Sequence, residues 1–184
     1  MPELTEKNIP NIQSAVIFDF TAIVEKYQRQ FITIAYRMLG NFEDARDSVQ
    51  EVFVRFWKAK NLLNTEQEMF SLLTRMLINL CIDQLRKRKV LRFFSFTESI
   101  FDSLPAQNSD PGQEISNDEL NVLLEAKVSK LKPRQKAIYV LRDIEGFSVK
   151  ETANLAGCSE SSVLTNLHLA RKNLRKWLKP YLQE

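Results

Sequence analysis

The 184 residues, 44% apolar and 27% charged, can bury a core in one ordinary domain or two small ones and are too few for a large enzyme. Four glycines and a lone histidine, His168, leave little material for a glycine-rich phosphate loop, a turn-dense β fold or a histidine-rich metal site, and Cys81 and Cys158 are too few for a disulfide scaffold or a four-cysteine zinc site. The net charge of +3 is unevenly placed: residues 1–90 carry +2, residues 91–122 carry −5 and residues 123–184 carry +6. No apolar run approaches the roughly 18 residues of a membrane helix, and the N-terminus lacks the order of a signal peptide. A cytoplasmic protein without membrane insertion, metal or cofactor is expected.

From Phe20 the apolar residues Phe20, Ile23, Val24, Tyr27, Phe31, Ile34, Ala35, Met38 and Leu39 recur at helical spacing, and Gly40 closes that helix. Asn41 suits the N-cap of a second helix, with Glu43 and Asp44 in its first turn and a stripe of Ala45, Val49, Val52, Phe53, Phe56 and Trp57. Thr65 and Glu68 have capping-box spacing and open a third helix, through Met69, Leu73, Met76, Leu77 and Leu80 to the basic run at 86–89. Residues 91–117 lose the period and read as a linker, yet Leu91, Phe93, Phe94, Phe96, Ile100 and Phe101 are apolar enough to pack on a domain or a partner. Ser116 with Glu119 opens a fourth helix running to Leu131. Pro133 begins a fifth, with Ile138, Leu141 and Ile144 facing inward and Gly146 at its end. Ser148 with Glu151 caps a short helix from Val149 to Ala156, and Gly157 turns the chain. A last helix from about Ser159 to Leu178 directs Val163, Leu167, Ala170, Leu174 and Leu178 inward.

No strand survives this pass. The expected fold is all-α: a tail over 1–17, a helical bundle over 18–92, a linker over 93–117 and a four-helix domain with a helix-turn-helix over 118–184.

The strongest local signal spans Glu151 to Leu167. Two short helices cross closely only over a small residue, Ala153; a residue at ease with positive φ, Gly157, makes the turn; and Val163 pins the second helix. That is helix-turn-helix geometry, which presents its second helix to the DNA major groove. An ordinary helical hairpin would share the small residue and the glycine. The cations Arg171, Lys172, Arg175 and Lys176 that follow favour the DNA-binding reading.

Two longer stretches carry a family resemblance. Leu131-Lys-Pro133-Arg-Gln135, Leu141-Arg142-Asp143-Ile-Glu145-Gly146-Phe-Ser148, Glu151-Thr-Ala153 and Leu167-His168-Leu-Ala170-Arg171-Lys172-Asn-Leu174 resemble the promoter-reading C-terminal domain of bacterial RNA polymerase sigma factors, closest to the small extracytoplasmic-function group. The segments from Gly40 to Trp57 and from Arg75 to Arg86 resemble that family's polymerase-binding and minus-ten domain. The resemblance implies a transcription initiation factor without catalytic residues that binds core RNA polymerase and promoter DNA. In it, Asp44, Asp47, Gln50, Glu51, Phe53 and Trp57 dock on the clamp helices of the β′ subunit. Leu63, Asn79, Asp83, Arg86, Lys87 and Arg88 serve the minus-ten element, with Asn79 lining the pocket of a flipped-out base. The spacing of Asp83 also suits a structural pair with Arg86 or Lys87, the plainer role. Ser161, Leu164, Thr165, His168, Arg171, Lys172 and Arg175 meet the minus-thirty-five element, and an anti-sigma protein is a further implied partner.

The chain departs from the family pattern in several places. Leu63 and Leu72 stand where aromatic residues are common, removing stacking worth about 1–3 kcal/mol per base. Leu164, Asn166 and Leu169 stand where cations are usual, so the leucines either read a thymine methyl or form a protein contact. The alternative function is a helix-turn-helix regulator that binds duplex DNA without polymerase; the Asp44–Trp57 motif speaks against it. For an enzyme there is no paired-carboxylate cleft, and a core Cys158 with a surface His168 needs no catalytic explanation.

Overall fold

The computed structural model describes residues 20–59, 65–98 and 117–181; Leu63, the tail over 1–17, the linker over 99–116 and its Ser116 cap lie outside the described residues. The stripe beginning at Phe20 forms α1 (Phe20–Leu39), in which Phe31, Ile34, Ala35 and Met38 are fully buried. Gly40 ends it at φ +71°, its N–H donating to the Tyr36 carbonyl at 2.7 Å. Asn41 Oδ1 accepts the Asp44 N–H at 3.1 Å and opens α2 (Phe42–Ala59). Thr65 Oγ1 accepts the Glu68 N–H at 3.1 Å and opens α3 (Glu66–Glu98). These three helices close on an aromatic cluster centred on Phe31, whose ring lies 5.6 Å from Phe70, 5.8 Å from Tyr27 and 6.0 Å from Phe53. The basic run does not end α3, contrary to expectation. Lys, Arg and Leu are good helix formers and no glycine or proline intervenes before Pro105, so the helix runs on to Glu98 through the first part of the expected linker.

The second module holds α4 (Asn117–Ser129), α5 (Pro133–Tyr139), α6 (Val149–Ala156), α7 (Glu160–Leu178) and a closing 3₁₀ turn, Lys179–Tyr181. The capping box of α6 is complete: Ser148 Oγ accepts the Glu151 N–H at 3.2 Å, and Glu151 Oε2 accepts the Ser148 N–H at 2.8 Å. Ser159 Oγ caps α7 through the Ser162 N–H at 3.2 Å. After α5 the chain widens into a π-helical turn, Val140–Ile144, in which the Glu145 N–H reaches the Val140 carbonyl at 2.9 Å. The extra residue in that turn keeps Leu141 buried but swings Ile144 outward to 38% exposure, correcting the expectation that it faces inward. Among the described residues there is no strand, no cluster of metal-ligating side chains and no helix long and apolar enough to cross a membrane.

The two modules pack directly on each other. α3 lies against α5 and α6, and α1 against α4 and the π turn. One buried apolar cluster runs through both, from Phe31 and Leu77 to Ile138, Leu155 and Val163. Across the seam Phe70 and Phe147 approach to 6.4 Å, and Arg37 pairs with Glu145. Lys136 on α5 is buried there at 3% exposure, beside Cys81 and Arg88 of α3. Burial, with the Arg88 cation adding to it, pushes the Lys136 ammonium from 10.5 down to about 8.

This burial gives stability a pH dependence. Between pH 8 and 10.5 the unfolded chain keeps a proton that the folded chain has released, so stability rises with pH across that window and carries the full burial cost below it. Lys136→Met is expected to raise stability at pH 7 by about 1–3 kcal/mol and to flatten the rise between pH 8 and 10.5. Urea melts at stepped pH measure both effects; an unchanged pH profile would show the ammonium is not held from water.

Candidate functional site

The helix-turn-helix is built from short-range constraints. The Ala153 carbonyl accepts the Cys158 N–H at 2.9 Å, and Gly157 turns the chain in the left-handed region at φ +59°. Arg134 of α5 reaches over to this turn, donating from Nη2 to the carbonyls of Ala156 at 3.1 Å and Gly157 at 3.3 Å. It thereby caps α6 from outside the motif, a role that the sequence pattern alone did not assign. Val163, Leu167, Ala170 and Leu174 bury one face of α7. The opposite face carries Ser161, Leu164, Thr165, His168, Lys172 and Arg175, all exposed and all within one helical stripe. Leu164 is a large apolar side chain that stands 55% exposed. Cys158 is half-buried against the core and His168 is exposed, as expected.

Not every cation or amide on α7 faces outward unpaired. Arg171 makes a two-pronged pair with Asp143, Nη2 to Oδ1 at 2.6 Å and Nε to Oδ2 at 2.8 Å. The pair fastens the middle of α7 to the π turn. Asn166 Nδ2 donates to the Ser162 carbonyl at 2.8 Å, and the Thr165 hydroxyl donates to the Ser161 carbonyl at 2.9 Å.

On α2, Asp47, Gln50, Glu51 and Trp57 are exposed along one face, and Asp44 is half-exposed at its start. Trp57 corrects the expected stripe: it stands 64% exposed, its ring 5.0 Å from that of Phe20, on the face of Gln50 and Val54 and turned away from that of the buried Val52 and Phe56. Phe53 is the converse. At 6% exposure it packs between Phe20 and Phe31, so it supports α2 from beneath and offers no surface to a partner. Val54 received no role from the sequence although it sits four residues after Gln50; it is exposed on the same face and supplies its apolar centre.

On α3, Leu72, Arg75, Asn79, Asp83 and Arg86 follow one another at helical spacing, with Asn79, Asp83, Arg86 and Lys87 exposed. The plainer role of Asp83 is seen: its Oδ1 accepts from Arg86 Nη1 at 3.2 Å. Arg88 also has internal partners. It pairs with Asp44 at 2.5 Å and donates to the Leu39 carbonyl at 3.1 Å, tying the end of α1 and the start of α2 to the basic run. Two residues expected on different binding surfaces are thus brought together, and Arg88 acts as a brace within the module.

Comparison with known proteins agrees with this geometry. Residues 23–90 match the family model of Sigma-70 region 2, and residues 121–174 that of Sigma-70, region 4. The ECF RNA polymerase sigma factor SigE of Mycolicibacterium smegmatis is 31% identical over 163 residues, covering 88% of this chain; the chain spans 62% of that relative's length. SigW of Bacillus subtilis, likewise an ECF sigma factor, is 27% identical over 185 residues, covering 97% of this chain and 99% of its own. Two solved structures share the fold. The sigma factor RpoE, in complex with the anti-sigma factor NepR from Bartonella quintana, has a TM-score of 0.62 at 20% identity, covering 88% of this chain and 97% of its own. CnrH, in complex with the cytosolic domain of CnrY, has a TM-score of 0.59 at 22% identity, covering 87% of each chain. An exposed α2 face ahead of a helix-turn-helix, in this order and with both regions matched, makes the chain a member of the sigma-70 family, in its extracytoplasmic-function group.

Proposed function

We propose that the chain binds core RNA polymerase through α2, reads a minus-ten element with α3 and a minus-thirty-five element with α7, and promotes opening of the duplex without chemistry of its own. The observation that carries this reading is the outward face of α2, where Asp47, Gln50 and Glu51 surround Val54 and Trp57. Acidic and amide groups around an apolar centre suit packing against a partner's helices, and a regulator acting on duplex DNA alone has no use for that face. α7 supplies the other half: hydroxyl, imidazole and leucine side chains for base edges, then Lys172 and Arg175 for phosphates. On α3, Asn79 is the residue for an unpaired base, and Arg86 and Lys87 are cations for the adjoining backbone. RpoE and CnrH were each solved with a second protein, NepR and the cytosolic domain of CnrY, which supports an anti-sigma partner here as well.

Purified chain added to bacterial core polymerase is expected to yield promoter-specific transcripts on genomic DNA; absence of both core binding and any specific transcript refutes the reading. Reversing Asp47 and Glu51 to Arg should weaken core binding at least about tenfold, measured by fluorescence titration, while lowering stability by no more than about 1 kcal/mol, because both side chains are exposed and the only pair lost is the surface one between Glu51 and Arg55 among the described residues.

The cations of α7 separate by salt dependence. Removing Lys172 and Arg175 together should reduce the slope of log K against log salt for duplex promoter binding by about two. Arg171→Ala should leave that slope nearly unchanged and lower the melting temperature instead, because its guanidinium is held by Asp143. A slope reduced by about one in Arg171→Ala would place Arg171 among the DNA contacts.

A further inference from the structure

Singly exposed leucines are common on protein surfaces, and Leu164 is distinguished by what surrounds it. It lies in the N-terminal half of α7, the part that a helix-turn-helix brings to base edges, on the exposed stripe of Ser161, His168 and Lys172. Its polar neighbours are committed within the helix. The Thr165 hydroxyl gives its proton to the Ser161 carbonyl at 2.9 Å. Asn166 is half-buried, and its Nδ2 donates to the Ser162 carbonyl at 2.8 Å and to Ser162 Oγ at 3.3 Å. Arginine, lysine and glutamine are absent from Glu160 to Ala170. With the Asn166 amide engaged, no two-pronged pair with guanine or adenine forms over that span. What remains for the base edges is an apolar side chain, preceded by the Ser161 hydroxyl and followed by the His168 ring.

An apolar side chain reads one feature of the major groove, the C5-methyl group of thymine. The other groups that distinguish base pairs there are hydrogen-bond donors or acceptors, which lose water without gaining a partner when leucine covers them. The charge of α7 fits the same occupant: from Ser161 to Leu178 the helix has no acidic residue. Lys172 and Arg175 lie about 12 and 17 Å beyond Leu164 along the axis. The major groove is about 12 Å wide, so a helix that sets Leu164 on a base edge carries both cations to the phosphates bordering the groove. A protein contact asks for a wider apolar area. Leu169, the other exposed leucine of α7, lies about 140° round the helix from Leu164 and does not join it.

We propose that Leu164 sets the specificity of α7 by packing on the methyl group of a thymine, so that the upstream promoter element carries a T·A pair read there without a hydrogen bond. The proposal deepens the assignment of α7 to the minus-thirty-five element and rests on it.

Deoxyuridine tests it, because it pairs as thymine does and lacks only the methyl. Promoter duplexes that direct transcripts from the chain with core polymerase are rebuilt by synthesis with unmethylated cytosine, so that any C5-methyl read is thymine's. The thymines of the upstream element are replaced one at a time by deoxyuridine, and binding of the polymerase complex is followed by fluorescence anisotropy. The parent is expected to bind about fourfold more weakly at one position, the loss that follows from removing one methyl group from an apolar contact. Leu164→Ala should bind the thymine and deoxyuridine duplexes equally at that position. Alanine is the better helix former and the leucine it replaces is exposed, so the variant is expected to fold as the parent does. The ratio is taken within each variant, so a general loss of affinity does not imitate the result.

Equal binding of the parent to every substituted duplex overturns the proposal. So does a deoxyuridine effect that Leu164→Ala leaves in place, since another side chain then reads the methyl. If Leu164→Ala lowers promoter-specific transcription with duplex binding unchanged, the leucine serves a protein contact and the proposal falls. If no promoter complex forms with core polymerase at all, the assignment of α7 fails and takes the proposal with it. Complexes that form without a deoxyuridine effect leave that assignment standing and overturn the proposal alone.

Discussion

Helices of seven and eight residues do not persist alone in water, because the cost of nucleating them exceeds what two turns of hydrogen bonds return. α5 and α6 exist only because Ile138, Leu141, Leu155 and Ala156 are buried against α7 and α3. This requirement shapes the C-terminal module. It commits the Val163–Leu167–Ala170–Leu174 face of α7 to packing and leaves the other face to solvent, which gives the chain a recognition surface. The same requirement brings α6 onto α3, so a helix of the first module supplies part of the support of a short helix in the second.

Charge is used in two distinct ways. Arg88 with Asp44, Arg86 with Asp83 and Arg171 with Asp143 each place a cation from a basic segment on a carboxylate of the same chain. Lys87, Lys172 and Arg175 are exposed in the same segments. Basic clusters therefore combine braces with ligand-facing groups, and the number of cations in a run overstates the field available to a polyanion.

Much of this arrangement is legible in the amino-acid sequence wherever the governing interaction is local. Asn41, Thr65, Ser148 and Ser159 stand three residues before the amides they cap, and Gly157 stands where the backbone turns left-handed. The buried faces of α1 and α7 follow from spacing alone. The departures have different causes. Ile144 is displaced by one extra residue in a π turn, which a period of 3.6 cannot anticipate. Trp57 falls on the outer face of α2 with Val54, next to the buried Phe56, and Phe53 shares its motif with surface residues yet lies beneath them. The Arg37–Glu145 pair joins residues 108 positions apart, and the burial of Lys136 depends on α3, which brings to it Cys81 and Arg88 from far earlier in the chain. Such contacts leave no mark on any local window.

The two faces of α7 share no residue. Those that set the angle of the helix-turn-helix, with Arg134 and Gly157 behind them, are separate from Ser161, Leu164, Thr165 and His168 in front. A lineage can therefore exchange the front side chains one at a time while the scaffold remains intact, so drift towards a new target sequence meets little resistance from folding. Duplicated copies of such a gene can diverge in the operators they address long before they diverge in shape.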